Sequence, residues 1–373
     1  MKLRSLAGLA LLASSLLASC SAEDVRYLAR AAYEEARILA RREPIEDLLQ
    51  GDLDADTRLK LELTLQTRKF AEQGLGLEIG GSYTSLARVD QSQIVYVVSA
   101  ARHDRLEPYL WWFPIVGHVP YRGYFRREAA KSLARTLERQ GFDTYVRSAM
   151  AFSTLGYFND PLLSHLLRRE PVDLVETILH ELLHTTVYVK GQTAFNESFA
   201  NFVGHRGAME FFTERGEDED AALARRRWHD ALQFAALLET IVDELEAAYA
   251  SGIDESARQQ LFDRARSRYE QVAWQTDEYS RFATAPLNNA VLLARRVYFE
   301  RLQLFETLCS RFDDDLARCV RWVIDTSRVT TDPYRAIAAA LAAHRNDDRG
   351  VADGTRSSAG GTVEELRPHR PPR

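Results

Sequence analysis

His180-Glu181-Leu182-Leu183-His184 sets two imidazoles four residues apart, and Asn196-Glu197-Ser198 follows after eleven intervening residues. On an α-helix, positions four apart share a face, so His180 and His184 can converge on one ion. Glu181 lies about 100° further round the helix, close enough to take a proton from a water polarised by that ion without binding the ion itself. Zinc catalysis needs three protein ligands and one open position, and a carboxylate arriving from a second helix is a common third ligand. Glu197 is the candidate. The pattern thus implies one Zn2+ per chain, held by His180, His184 and Glu197, with Glu181 as general base.

The flanking residues predict the elements that would position these groups. Pro171 suits a first helical turn, and Leu174, Val175, Ile178, Leu179, Leu182 and Leu183 recur at helical spacing opposite the histidines. Gly191 is placed to end that helix. A second helix is expected from Thr193, as N-cap, to about Phe212, with Ala200, Gly204 and Ala208 forming a ridge of small residues beside Glu197. Such a ridge lets two helices approach closely, as a shared metal requires. The five-residue pattern alone also arises by chance in amphipathic helices; here a helical frame, a downstream Asn-Glu pair and an export signal coincide. Val187 and Lys190 stand where the longer metzincin pattern needs glycine and a third histidine, which excludes that variant.

The 373 residues carry a net charge of -6, which argues against nucleic acid as the main partner. No Pro/Gly/Ser-rich linker interrupts 22–345, so residues 20–345 are expected to form a single catalytic domain of α+β class, predominantly α-helical with a small β-sheet. Residues 1–19 combine a basic start, a short apolar run and small residues, the pattern of a bacterial export signal. The ending Leu17-Ala18-Ser19-Cys20 resembles a lipobox, which makes Cys20 the lipidated first residue of a mature chain anchored to a membrane, not threaded through it. The expected address is the cell envelope, at the outer membrane facing the periplasm. Residues 346–373, without hydrophobic period and rich in Arg, Pro and Ser, are expected to form a disordered tail.

Between the leader and the histidine helix, 22–73 is helical in pattern with a break near Pro44, and 56–70 forms a second helix. Ile94-Val95-Tyr96-Val97-Val98 predicts a strand, and 142–150 another. Residues 111–125 mix aromatics, Gly and Pro, and 152–164 form a comparable stretch leading into the histidine helix. Each is either a buried loop packed by its aromatics or a substrate-facing edge of the cleft. In the second case Tyr121, Arg122, Tyr124 and Tyr157, with His205 from the second helix, are candidates for substrate or transition-state contact. His205 shares a side with Glu197 but lies about 12 Å further along the axis, so a supporting role suits it better than ligation. Cys309 and Cys319 pair if they fall on two helices and cannot meet inside one. Residues 221–275 and 289–345 read as long amphipathic helices around the catalytic pair.

Taken together, the lipobox, VPYRGYF at 119–125, FSTLGYFNDPLLS at 152–164, HELLH at 180–184, VYVKGQTAFNESFANFV at 187–203 and Leu287-Asn288-Asn289-Ala290 resemble a bacterial family described as putative zinc aminopeptidases. The resemblance spans roughly 20–310. It implies a gluzincin-type metallopeptidase with His180, His184 and Glu197 as ligands and Glu181 as catalytic base. Members often carry cysteines in the aromatic stretch where this chain has Trp112 and His118, so a disulfide there is dispensable. The function expected is removal of N-terminal residues from peptides, with Asp160 and Glu176 as carboxylates that could receive an α-ammonium. The alternatives are an endopeptidase acting on envelope proteins and a lipoprotein scaffold with structural zinc. The intact Glu181 argues against the scaffold, which needs no base.

Overall fold

The computed structural model describes residues 33, 36–89, 95–113, 117–148 and 159–352. The predicted export signal and Cys20 lie outside the described residues, as does Tyr157. Among the described residues, the short strands are β1 Arg42–Pro44, β2 Ser85–Ala87, β3 Tyr96–Arg102, β4 Trp111–Phe113, β5 Gly117–Val119, β6 Arg122–Tyr124, β7 Phe142–Ser148 and β8 Leu162–Leu163. Leaving aside pieces of little more than one turn, the helices are α1 Ala55–Lys69, α2 Arg127–Arg139, α3 Pro171–Thr186, α4 Thr193–Glu214, α5 Asp218–Ala250, α6 Glu255–Gln271, α7 Asn289–Phe299, α8 Leu302–Cys309, α9 Leu316–Val329 and α10 Pro333–Ala352. The fold is α+β and predominantly helical, as expected.

The strands divide into three small sheets with orders β1-β2-β8, β6-β3-β7 and β4-β5. In the second, β3 is central and antiparallel to both neighbours, running from Tyr96 opposite Ser148 to Arg102 opposite Phe142. Its buried Val98 packs on Ala130 and Ala134 of α2. The strand begins at Tyr96 and continues through buried Ser99, Ala100 and Ala101 to Arg102. Ile94 falls outside the described residues. The aromatic stretch 111–125 is not one loop: its described residues form β4, β5 and β6, and cross-strand pairing such as Trp111 with Val119 satisfies their backbone groups.

α3 and α4 form the centre. Leu174, Val175, Ile178, Leu179 and Leu182 are fully buried, so the apolar face of α3 points into the main core, while the other face carries the histidines. On α4, Phe195, Phe199 and Phe202 gather around Phe305 of α8 at centroid distances of 5.3–6.0 Å. α3 stops at Thr186, short of Gly191, because Val187 is extended and the Asn196 side chain captures both backbone groups of Val189. Gly191 (φ +77°) then makes the turn into α4. Thr193 is the first helical residue of α4, and Gln192 occupies the cap position.

The two long C-terminal helical patterns are interrupted. Gly252 (φ +77°) and the Asp254 side chain, which accepts from Ala257 N, separate α5 from α6. Left-handed Arg301, Asp313 and Asp314 separate α7, α8 and α9. The last break resolves the cysteines: Cys309 ends α8, Cys319 lies in α9, and the two form a disulfide with Cα atoms 5.1 Å apart. α10 continues to Ala352, into the stretch read as tail, and 353–373 lie outside the described residues.

Candidate metal centre and its cleft

His180 and His184 sit one turn apart on α3 with ring centroids 5.0 Å apart. Glu197 reaches them from α4, its Oε2 lying 3.3 Å from His180 Nε2 and 3.6 Å from His184 Nε2. One ligand atom from each residue lies within 4.8 Å of the others. The helices can come this close because of the small-residue ridge. A Cβ on Gly204 would stand 2.8 Å from the Glu176 carbonyl oxygen and 3.6 Å from His180 Cβ. Gly204→Ala is therefore expected to cost about 1–3 kcal/mol, as overpacking does. A lowered thermal midpoint checks this; an unchanged one would mean that the helices separate freely.

Two nitrogens and one carboxylate oxygen facing one point are a suitable donor set for zinc. Without a cation between them these groups act on one another. Burial works against ionisation of Glu197, yet hydrogen bonds from His180 and His184 outweigh it and hold the carboxyl well below its usual range. Burial would depress His184, but the Glu197 hydrogen bond and charge raise it instead. His184 Nδ1 is buried without a hydrogen-bond partner among the described residues. Glu181, beside the pair, is raised above the usual carboxylate range, chiefly by burial and in spite of the two histidines.

The trio opens onto a cavity of about 610 Å³. Tyr121, Tyr188 and Tyr298 line it near the histidines. The Tyr121 hydroxyl donates to Glu197 Oε1 at 3.4 Å, and the Tyr298 ring stacks 6.1 Å from His180. Arg147 Nη2 donates to the Tyr298 hydroxyl oxygen at 3.1 Å. Burial, with the Glu197 charge as second cause, pushes Tyr188 and Tyr298 up to about 12 and Tyr121 well above its ordinary value. All three phenols are hydrogen-bond donors at neutral pH.

Of the residues singled out from sequence, His180, Glu181, His184, Glu197 and Tyr121 come together on this cavity. Arg122 and Tyr124 do not line it: Arg122 is buried in β6, its guanidinium 5.8 Å from the Tyr124 ring centroid. His205 lines the cavity away from the trio, with Nδ1 2.9 Å from Glu176 Oε1. Glu176 supports neither ligand histidine; it binds His205 and Arg227, because its place one turn before His180 turns it toward α5. Asp160 is buried under Tyr83 and does not line the cavity. Arg147, Tyr188, Arg295 and Tyr298 were not singled out from sequence, since each is an ordinary member of a strand, loop or helix until the fold brings it in.

The sequence profile of the family described as "Putative aminopeptidase" matches residues 26–336. The chain belongs to that family. No curated protein and no solved structure matches. Membership gives the chain a peptidase-like function acting on peptides, and the matched span contains every residue that lines the cavity. Cys20 lies outside that span.

Proposed function

We propose that the chain is a zinc-dependent aminopeptidase of gluzincin type, anchored by lipid on Cys20 to the cell envelope, at the outer membrane facing the periplasm. The observation that carries the peptidase reading is the convergence of His180, His184 and Glu197 on a cavity wall with Glu181 beside them. Zinc held by these three residues would supply Lewis acidity toward a water and a peptide carbonyl. Glu181 accepts the proton of the attacking water and passes it to the leaving amine. Its raised affinity for protons favours the first of these transfers. Tyr298 accepts from Arg147, which leaves its own O–H to donate to the carbonyl oxygen as charge develops there. Tyr121 holds Glu197 through its second oxygen.

Two features favour exopeptidase action. Phe113, Val119 and Tyr121, from the aromatic stretch, wall part of the cavity and would supply the closed end that an exopeptidase cleft needs. Glu278 lines it too, bound to Arg227 at 3.0 Å through one oxygen, and offers its carboxylate to an α-ammonium. The test compares a free-amine dipeptide amide with its acetylated counterpart. Acetylation is expected to reduce kcat/KM by about tenfold or more, since it removes the ammonium charge that the Glu278 carboxylate would contact. Equal cleavage of both, or internal cuts in a long peptide, would replace this reading with an endopeptidase.

Among the described residues, no helix is long and apolar enough to cross a membrane. The proposed anchor predicts that Cys20→Ala moves the protein from the membrane to the soluble fraction. Retention in the membrane fraction through an uncleaved leader would remove the lipid assignment.

A further inference from the structure

The arginines on the cavity are treated differently. Arg227 contacts Glu176 at 2.7 Å, Glu278 at 3.0 Å and Asp173 at 3.5 Å, so its charge is matched within the protein. Arg295, on the face of α7 that also carries Tyr298, has no ion-pair partner among the described residues. Its Nε is buried with no hydrogen-bond partner. Phe234 and Phe282 lie 5.8 Å from its guanidinium carbon and offer ring faces, not acceptors. Arg147 and Arg281 act on it as cations, while Tyr145 and Tyr279 act in the opposite sense. Beside it the buried Tyr279 hydroxyl also lacks a partner among the described residues.

Arg295 is partly buried on the cavity wall, and a guanidinium held there without a counter-ion is available to an anionic ligand. Burial pulls Arg295 below its usual range; Tyr145 opposes the shift and Arg147 adds to it. An arginine fork matches a carboxylate bidentately. Resting on the peptidase reading, we infer that Arg295, backed by Arg147, forms a subsite that binds a carboxylate of the peptide substrate. That carboxylate is the C-terminus of a short peptide or an acidic side chain; the chemistry of recognition is the same. The subsite explains why cationic side chains share a wall with the zinc ligands: the anion neutralises them on binding.

The test uses the full chain carrying Glu181→Gln, so that peptides are held and not cut, alone and with Arg295→Met or Arg295→Lys. Dissociation constants are measured for two matched pairs, Ala-Leu-Ala against its C-terminal amide, and Ala-Glu-Ala amide against Ala-Gln-Ala amide. In a second measurement, thermal midpoints are recorded with glutarate against chloride at equal ionic strength, with a chelator present so that glutarate cannot sit on a metal. The carboxylate member of one pair is expected to bind about tenfold tighter or more, Arg295→Met to erase the difference, and Arg295→Lys to retain part of it. Glutarate should raise the midpoint of the parent and not that of Arg295→Met. Whichever pair discriminates identifies the source of the carboxylate. If peptides bind without carboxylate preference and glutarate shifts both proteins equally, the subsite is wrong while the peptidase reading stands. If glutarate discriminates and no peptide binds, the subsite stands and the peptidase reading fails.

Discussion

Glu181→Gln is expected to keep the metal and the fold while lowering turnover by about a hundredfold or more, within the usual range for loss of a general base. The substitution is a clean probe because the Glu181 carboxyl makes no hydrogen bond among the described residues, so exchanging one oxygen for an NH2 group breaks no contact there. The amide fills the same volume but cannot take a proton from water. Metal content and thermal midpoint should match the parent, and kcat should fall with little change in KM. Full activity in a metal-loaded variant would sink the mechanism.

Glu197→Ala acts on the other half of the site. Two histidines one turn apart remain, without the carboxylate 3.3 and 3.6 Å away. Removing an outer partner of a metal ligand costs about 10–100-fold in affinity, and loss of the ligand itself should exceed that. Tyr121 also loses its acceptor, so Glu197→Gln, which retains an oxygen there, is the companion variant. Zinc competition with a chromogenic chelator reads both. Unchanged affinity in Glu197→Ala would take Glu197 out of the ligand set.

The parts of the site that could be read from sequence are those encoded along one helical hairpin. His180, His184 and Glu197 announce themselves by residue type, and Ala200, Gly204 and Ala208 announce the close crossing that joins them. The far wall was illegible for a different reason. Arg147 and Tyr298 are 151 residues apart and meet only because α7 packs across β3 and β7, which no local period records. The aromatic stretch 111–125 misled because Gly and Pro mask strands only three residues long. The cysteine pairing stayed open because the break between α8 and α9 rests on two aspartates in a left-handed conformation, a backbone state that neither Asp313 nor Asp314 demands by type.

That contrast has a consequence for how the molecule assembles. The contact between His180 and Glu197 closes a loop of 17 residues, whereas the contact between Arg147 and Tyr298 closes one of 151. Loop-closure entropy grows as the logarithm of length, so the second costs about 2 kcal/mol more before any contact repays it. During synthesis the hairpin of α3 and α4 can therefore gather its three ligands while α7 is still unmade. The wall bearing Tyr298 and Arg295 comes later in the chain, so it closes on a hairpin that has already formed.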